Sequence, residues 1–198
     1  MQETSPGPMA GKAEWRTWLR QILASVADSD AQSDSIRRQL GELLAARPSL
    51  CIATFSALPD EPSLLELLSS SPNHRWVLPK VVGEELVFHQ IKHPDQLKPG
   101  AFGIAEPSSD LPIVPAEDID VFLCPGLGFD RHGIRLGRGN GFYDRALAGA
   151  KPDAQRIGIA FREQTVNRLP AEPHDIPMNL ILSGSNNPHR PEPRDQDP

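Results

Sequence analysis

The stretch LGRGNGFYDRAL, residues 136–147, places Gly137, Gly139 and Gly141 at every second position among Arg135, Arg138 and Asp144. That spacing suits neither a helix nor a strand interior, because glycine gives up backbone order and offers no side chain to pack. What a glycine-rich loop does allow is close approach of its own N–H groups to a ligand. Placed between a strand end and a helix N-terminus, it presents amide donors and a positive dipole end to an anion. Arg135 and Arg138 add forked donors matched to phosphate oxygens. A plain surface turn is the alternative, and the glycines could serve both purposes.

Two familiar phosphate loops do not account for it. A Walker A loop needs four residues between Gly and Gly-Lys, then Ser or Thr. Gly7 and Gly11-Lys12 enclose only three, and Ala13 follows. The dinucleotide pattern G-x-G-x-x-G fails as well, since Phe142 or Asp144 stands where its third glycine would be.

The elements around the loop follow from periodicity. Trp15, Trp18, Leu19, Ile22, Leu23 and Val26 recur at helical spacing, with Lys12, Arg16 and Arg20 as a basic ridge beside them. A second helix is expected over about 33–46, and a third over 63–70 with Ser63 as N-cap. LCIATF (50–55) and IDVFLCPG (119–126) are apolar runs suited to strands buried on both faces. RWVLPKVV and LVFHQI read as a hairpin around GEE, and RIGIAF (156–161) and NLILS (179–183) as two more strands. The buried strand 119–126 is expected to deliver the chain into the glycine loop, with a helix over about 140–149. Alternating strands and helices predict an α/β fold, a mostly parallel sheet with helices on both faces. Ligands in such sheets bind beyond the carboxyl ends of the strands.

The 198 residues allow one folded unit, expected over 12–183, with 1–11 and 184–198 as flexible tails. GSNNPHRPEPRDQDP has no apolar periodicity with which to order itself. A formal net charge of −6 argues against sequence-independent nucleic-acid binding. No run of 18 apolar residues exists to span a membrane, and MQETSPGPMAGK lacks the apolar core of a secretory signal. Cys51 and Cys124 lie in apolar runs, as expected of buried thiols in a reducing cytoplasm.

The stretch PGLGFDRHGIRLGRGNGFYDRAL (125–147) closely resembles the signature of the 5-formyltetrahydrofolate cyclo-ligase (5,10-methenyltetrahydrofolate synthetase) family. KAEWR (12–16), SALPDEPSLLELL, FGIAEP (102–107) and PAEPHDIPMNLILS resemble further segments of that family, in order along the chain. The resemblance implies a three-layer α/β fold related to the ribose-5-phosphate isomerase and CoA-transferase group. It implies ATP-dependent conversion of 5-formyltetrahydrofolate to 5,10-methenyltetrahydrofolate, with release of ADP and phosphate. Its partners would be small molecules, with Mg2+ as cofactor, ATP as co-substrate and a monomer as the working unit.

Carried over residue by residue, the resemblance implies nucleotide contacts from Lys12, Arg16, Arg135, Gly137, Arg138, Gly139, Asn140, Gly141, Phe142 and Tyr143. Arg138, Tyr143 and Asp144 would be catalytic, and Asp144 and Asp175 would be the Mg2+ carboxylates, with His174 supporting Asp175. Phe55, Glu61 and Phe102 would contact the folate. Asn179 replaces an Asp often found after the His-Asp pair. A non-catalytic folate- or nucleotide-binding module on the same fold would be favoured by loss of Lys12, Arg16, Asp144 or Asp175, and all four are present.

Overall fold

The computed structural model describes residues 5–7, 9–100, 103–185 and 188–193. Its centre is a seven-stranded sheet. Strands β1 (Cys51–Ala53), β2 (Arg75–Val82) and β3 (Glu85–Ile91) begin it. After β4 (Leu97–Pro99) and β5 (Ala105–Pro107), which pair only with each other, come β6 (Ile113–Val114) and β7 (Val121–Cys124). Next, β8 (Gly128–Asp130) and β9 (Arg135–Leu136) form a small hairpin, followed by β10 (Gln155–Ala160), β11 (Thr165–Val166) and β12 (Leu180–Ser183). The order across the main sheet is β12-β10-β7-β1-β2-β3-β6. The first five of these run parallel, whereas β3 and β6 are antiparallel additions.

Side-chain alternation sorts the sheet into two apolar faces. Ile52, Trp76, Leu78, Val121, Leu123, Ile157, Ile159 and Leu182 pack against Ile36, Leu40 and Leu44 of helix α2 (Ser29–Ala45) and Leu67 and Leu68 of α3 (Leu67–Ser70). Ala53, Val77, Phe88, Phe122, Cys124 and Ala160 face the other way, toward Phe129 and toward Leu147 of α4 (Phe142–Ala148). A third cluster lies outside the sheet. Trp15, Leu19 and Leu23 of helix α1 (Lys12–Leu23) pack on Leu127, Ile134, Leu136, Phe161 and Leu169. This docks α1 against the β8–β9 hairpin, which matters because α1 carries Lys12 and Arg16 and β9 carries Arg135. Gly158 of β10 lets the hairpin lie against the main sheet, since a Cβ there would lie 2.6 Å from the Phe129 ring.

The α/β class, the largely parallel sheet and the helices on both faces match the sequence reading, with four local differences. Helix α2 starts at Ser29 rather than near 33. The helix expected over 63–70 is one turn, Leu67–Ser70, and Ser63 does not cap it: its N–H donates to the Ser33 hydroxyl and its carbonyl accepts from Arg37. Strand β7 does not lead straight into the glycine loop, because the β8–β9 hairpin intervenes. Finally, residues 188–193 of the expected C-terminal tail lie on the domain. His189 exchanges backbone hydrogen bonds of 2.8 and 2.9 Å with Ile181, and Glu192 N–H donates to the Arg131 carbonyl at 2.9 Å. Hydrogen bonding to the hairpin turn and to the edge strand β12 substitutes for the apolar burial that this segment lacks. Among the described residues no helix is long and apolar enough to cross a membrane.

Candidate active site

One cavity of about 410 Å³ gathers nearly all the residues singled out in the sequence. It opens where the chain leaves the carboxyl ends of β1 and β7, the position favoured for ligands in parallel sheets. Phe55 and Ser56 follow β1, Pro125 and Gly126 follow β7, and β9 adds Arg135 and Leu136. Residues 137–141 form the wall between β9 and α4. A more open depression of about 860 Å³ between α2 and residues 66–74 contains none of the singled-out residues.

Backbone conformation explains the glycines best at two positions. Gly139 has φ +118° and Gly141 φ +68°, a region that side chains disfavour. Gly141 is the N-cap of α4, which has seven residues. In so short a helix the macrodipole is small, so the loop amides and nearby guanidinium groups dominate the field there. Arg16, one turn after Lys12 on α1, donates from Nε to the Gly137 carbonyl at 3.0 Å and so ties the loop to the first helix.

Three of the cavity's cations, Lys12, Arg135 and Arg138, are paired with carboxylates. Lys12 Nζ lies 2.8 Å from both Asp175 oxygens and 2.9 Å from Glu172 Oε2. Burial disfavours its charged form, yet the hydrogen bonds to Asp175 and Glu172 prevail and hold its pKa above the usual lysine value. Arg135, whose side chain is 4% exposed, donates to Asp144 Oδ1 at 2.8 Å and lies over the Tyr143 ring. Its buried Nε has no hydrogen-bond partner among the described residues. Arg138 binds Glu61 Oε1 through Nε at 3.1 Å and Nη2 at 3.0 Å, and Asp60 Oδ1 through Nη2 at 2.6 Å. Burial opposes the Arg138 charge, but these two acids raise its pKa. Glu61 is pushed up as well, because its burial outweighs the Leu58 N–H and the guanidinium. Burial also keeps the Tyr143 phenol protonated, with a pKa well above the ordinary value.

The cavity is lined by Lys12, Arg16, Phe55, Glu61, Arg135, all five residues from Gly137 to Gly141, Phe142, Tyr143, Asp144 and Asp175. Phe102 lies outside the described residues. Asp144 and Asp175 share the cavity but hold different cations. The group with metal-ligand spacing among the described residues is Glu172, His174 and Asp175, whose ligand atoms lie within 4.8 Å of one another, and Asp144 is not in it. Asn179 does not line the cavity. Its side-chain oxygen accepts the Arg156 N–H at 2.8 Å, so this departure from the family pattern falls on a structural position.

Sequence reasoning missed Glu172, Asp60 and Glu106. Glu172 was legible only as an acid in the Pro-flanked AEPHD turn, and Asp60 as the neighbour of Glu61. Glu106 is a buried carboxylate in the cavity wall whose Oε1 accepts the Val81 N–H at 3.2 Å. It is the Glu of FGIAEP, a segment that resembles the family, but only Phe102 was singled out there.

The family model for the 5-formyltetrahydrofolate cyclo-ligase family matches residues 8–184. The chain is 34% identical to the 5-formyltetrahydrofolate cyclo-ligase of Mycolicibacterium smegmatis over 184 residues, covering 87% of this chain and 93% of that one. It is 30% identical to the Haemophilus influenzae cyclo-ligase, covering 85% and 95%. Among solved structures, the 5,10-methenyltetrahydrofolate synthetase of Aquifex aeolicus superposes with a TM-score of 0.80 at 30% identity, over 94% of this chain and 96% of that one. The Mycoplasma pneumoniae synthetase superposes with a TM-score of 0.70 at 25% identity, over 87% and 98%. Likeness of this extent, spanning α1, the glycine loop and the 172–175 turn together, makes the chain a member of the 5-formyltetrahydrofolate cyclo-ligase family.

Proposed function

We propose that this protein converts 5-formyltetrahydrofolate and MgATP to 5,10-methenyltetrahydrofolate, ADP and phosphate. The carrying observation is a single cavity that joins an apolar wall (Phe55, Leu58, Pro79, Val81, Leu86, Ile104) to a cationic one (Lys12, Arg16, Arg135, Arg138). The first suits a flat, partly reduced ring system, and the second a triphosphate.

The chemistry follows from the substrate. An N-formyl carbon is a poor electrophile, because nitrogen donates into the carbonyl, and its oxygen is a poor leaving group. Transfer of the γ-phosphoryl group to that oxygen releases ADP and addresses both problems. N10 then attacks the activated carbon and loses its proton. The carbon–oxygen bond breaks, phosphate leaves, and the positive charge is shared across N5, the carbon and N10. No protein nucleophile is needed. The protein contributes positioning and charge neutralisation.

In this reading Lys12, Arg16, Arg135 and Arg138 contact the phosphates, and Gly137, Gly139, Asn140 and Gly141 bring backbone donors close. Phe142 and Tyr143 border the nucleotide, and Arg138, Tyr143 and Asp144 surround the transferring group. Phe55, Glu61 and Phe102 hold the folate. Asp144 and Asp175 are the carboxylates that would hold Mg2+, with Glu172 and His174 beside Asp175. Their hard oxygen donors suit that ion. When bound, it neutralises charge on the phosphoryl group. Lys12, Arg135 and Arg138 stay paired with their acids until phosphate oxygens take the place of those acids. The reading also has a monomer acting in the cytoplasm, where the buried thiols of Cys51 and Cys124 remain reduced.

The test is the purified chain with 5-formyltetrahydrofolate and MgATP, followed by the near-UV absorbance of the methenyl product. Product should appear only with nucleotide and divalent metal present. Product formed at full rate with chelator or without ATP, or no product at all, overturns the reading.

A further inference from the structure

The apolar and cationic walls of the cavity meet at one cluster of charges. Glu61 belongs to the segment that continues from Phe55 and Leu58, and Arg138 to the glycine loop. Two nitrogens of Arg138 converge on Glu61 Oε1, and Nη2 also reaches Asp60. The other oxygen of Glu61, Oε2, accepts the Leu58 N–H at 3.0 Å. Both Glu61 oxygens are therefore engaged, on a side chain only 6% exposed.

In this arrangement both Glu61 oxygens and two of the three Arg138 nitrogens are already engaged. Arg138 cannot turn its Nε and Nη2 donors to phosphate oxygens without leaving the two acids. If it leaves Glu61 with nothing in its place, a buried carboxylate is stranded, and a lone buried charge is far more costly than a paired one. Burial raises the Glu61 pKa even with the guanidinium beside it.

Resting on the reading above, in which the apolar wall takes the folate and the cationic wall MgATP, we propose that Arg138 couples the two substrates. It is held by Glu61 and Asp60 until the donor edge of the pterin ring reaches Glu61, and is then released to the nucleotide phosphates. The amino and ring N–H groups of a pterin present two adjacent donors, as a guanidinium does, so they replace Arg138 at the carboxylate. Traffic in the other direction is equivalent: phosphate that draws Arg138 away uncovers Glu61 for the folate. Linkage then requires each substrate to raise the affinity of the other by the same factor.

The experiment is calorimetric titration with the magnesium complex of an ATP analogue whose β,γ-bridge is nitrogen, with and without saturating 5-formyltetrahydrofolate. For the unaltered chain, folate should tighten nucleotide binding about tenfold, and nucleotide should tighten folate binding by the same factor. In Arg138→Gln the folate should still bind, and the factor should fall to about one. Asp60→Asn loosens Arg138 without touching Glu61, so it keeps the proposal testable should Arg138→Gln fail to fold. In this variant the nucleotide alone should bind roughly threefold tighter, the scale of one partly exposed ion pair. A factor of one in the unaltered, active chain overturns the coupling alone. So does a tenfold factor that survives Arg138→Gln, or an unchanged nucleotide affinity in Asp60→Asn. Absence of folate binding or of methenyl product in the unaltered chain overturns the functional reading and the coupling with it.

Discussion

Asp144 and Asp175 reach the cavity by different routes and with different partners. Asp144 lies in the first turn of α4 and holds the buried Arg135, whereas Asp175 lies in a Pro-flanked turn, is 7% exposed and is held by Lys12. If both serve one MgATP, Asp144→Asn and Asp175→Asn should each lower kcat on the order of 100-fold and raise the Mg2+ concentration required. The double variant should lose less than the two losses multiplied, because the first already removes most of a shared function. Rates measured against Mg2+ concentration decide it. Losses that multiply fully, with unchanged Mg2+ dependence, would return Asp175 to the role of partner for Lys12. Glu61 offers a separate test in pH. Its folded-state pKa lies above the ordinary 4.5, so the native state binds this proton more tightly than the unfolded chain does. Its contribution to stability is therefore complete below 4.5 and is lost as pH rises from there through the folded-state pKa. Glu61→Gln removes that loss. The variant should show a flatter profile of Tm against pH above 4.5 and keep or gain Tm at neutral pH, while losing folate affinity. A variant whose Tm still falls with pH as steeply as the parent's would contradict this.

At the scale of elements, the glycine loop, the β8–β9 hairpin and α1 work as one assembly. Helix α1 packs on the hairpin through Leu19 and Leu136, and Arg16 binds the loop at Gly137. A Cβ at Gly139 would lie 3.8 Å from the Arg16 guanidinium, so volume does not exclude a side chain there. The φ of +118° does. Gly139→Ala should then cost about 1–3 kcal/mol of stability through backbone strain. It should lower kcat/KM for ATP by more than tenfold, because relief of that strain turns the loop amides away from the phosphates. Thermal melting and ATP-dependent kinetics on the same preparation separate the two effects. Unchanged kinetics alongside the lower Tm would leave the loop as a turn only.

For the whole molecule, the parallel order β10-β7-β1-β2 decides that loops from distant parts of the sequence meet on one edge of the sheet. The C-terminal segment braces the turn of the hairpin against β12. His189 pairs with Ile181 of β12 and also bonds the Arg131 carbonyl through its ring at 2.9 Å, and Glu192 bonds the same carbonyl. Pro191 lies against Gly133 in the turn between β8 and β9. Deleting residues 188–198 should destabilise the protein by about 1–3 kcal/mol, on the scale of a few partly exposed hydrogen bonds. In a domain of this size, that lowers Tm by roughly 3–10 °C. A melting curve identical to that of the full chain would show that the brace carries no load and that the segment behaves as its composition suggests.

The class of fold was legible because it depends on local pattern: buried strand runs such as VFLC, helical stripes such as Trp15–Leu19–Leu23, and glycines at turns. The cationic wall was legible for the same reason, since Lys12 and Arg16 are one helical turn apart and Arg135, Arg138 and Asp144 lie within ten residues. What local pattern could not supply was partnership. Lys12 meets Glu172 and Asp175 across about 160 residues of chain, and Arg138 meets Asp60 and Glu61 across nearly 80. Such pairs exist only in the folded arrangement, because a surface acid and a buried counter-ion look alike in sequence until burial removes water from between them. The docking of residues 188–193 was hidden for a related reason. It rests on backbone hydrogen bonds, which leave no trace in hydrophobic periodicity and exist only once β12 and the hairpin turn stand side by side.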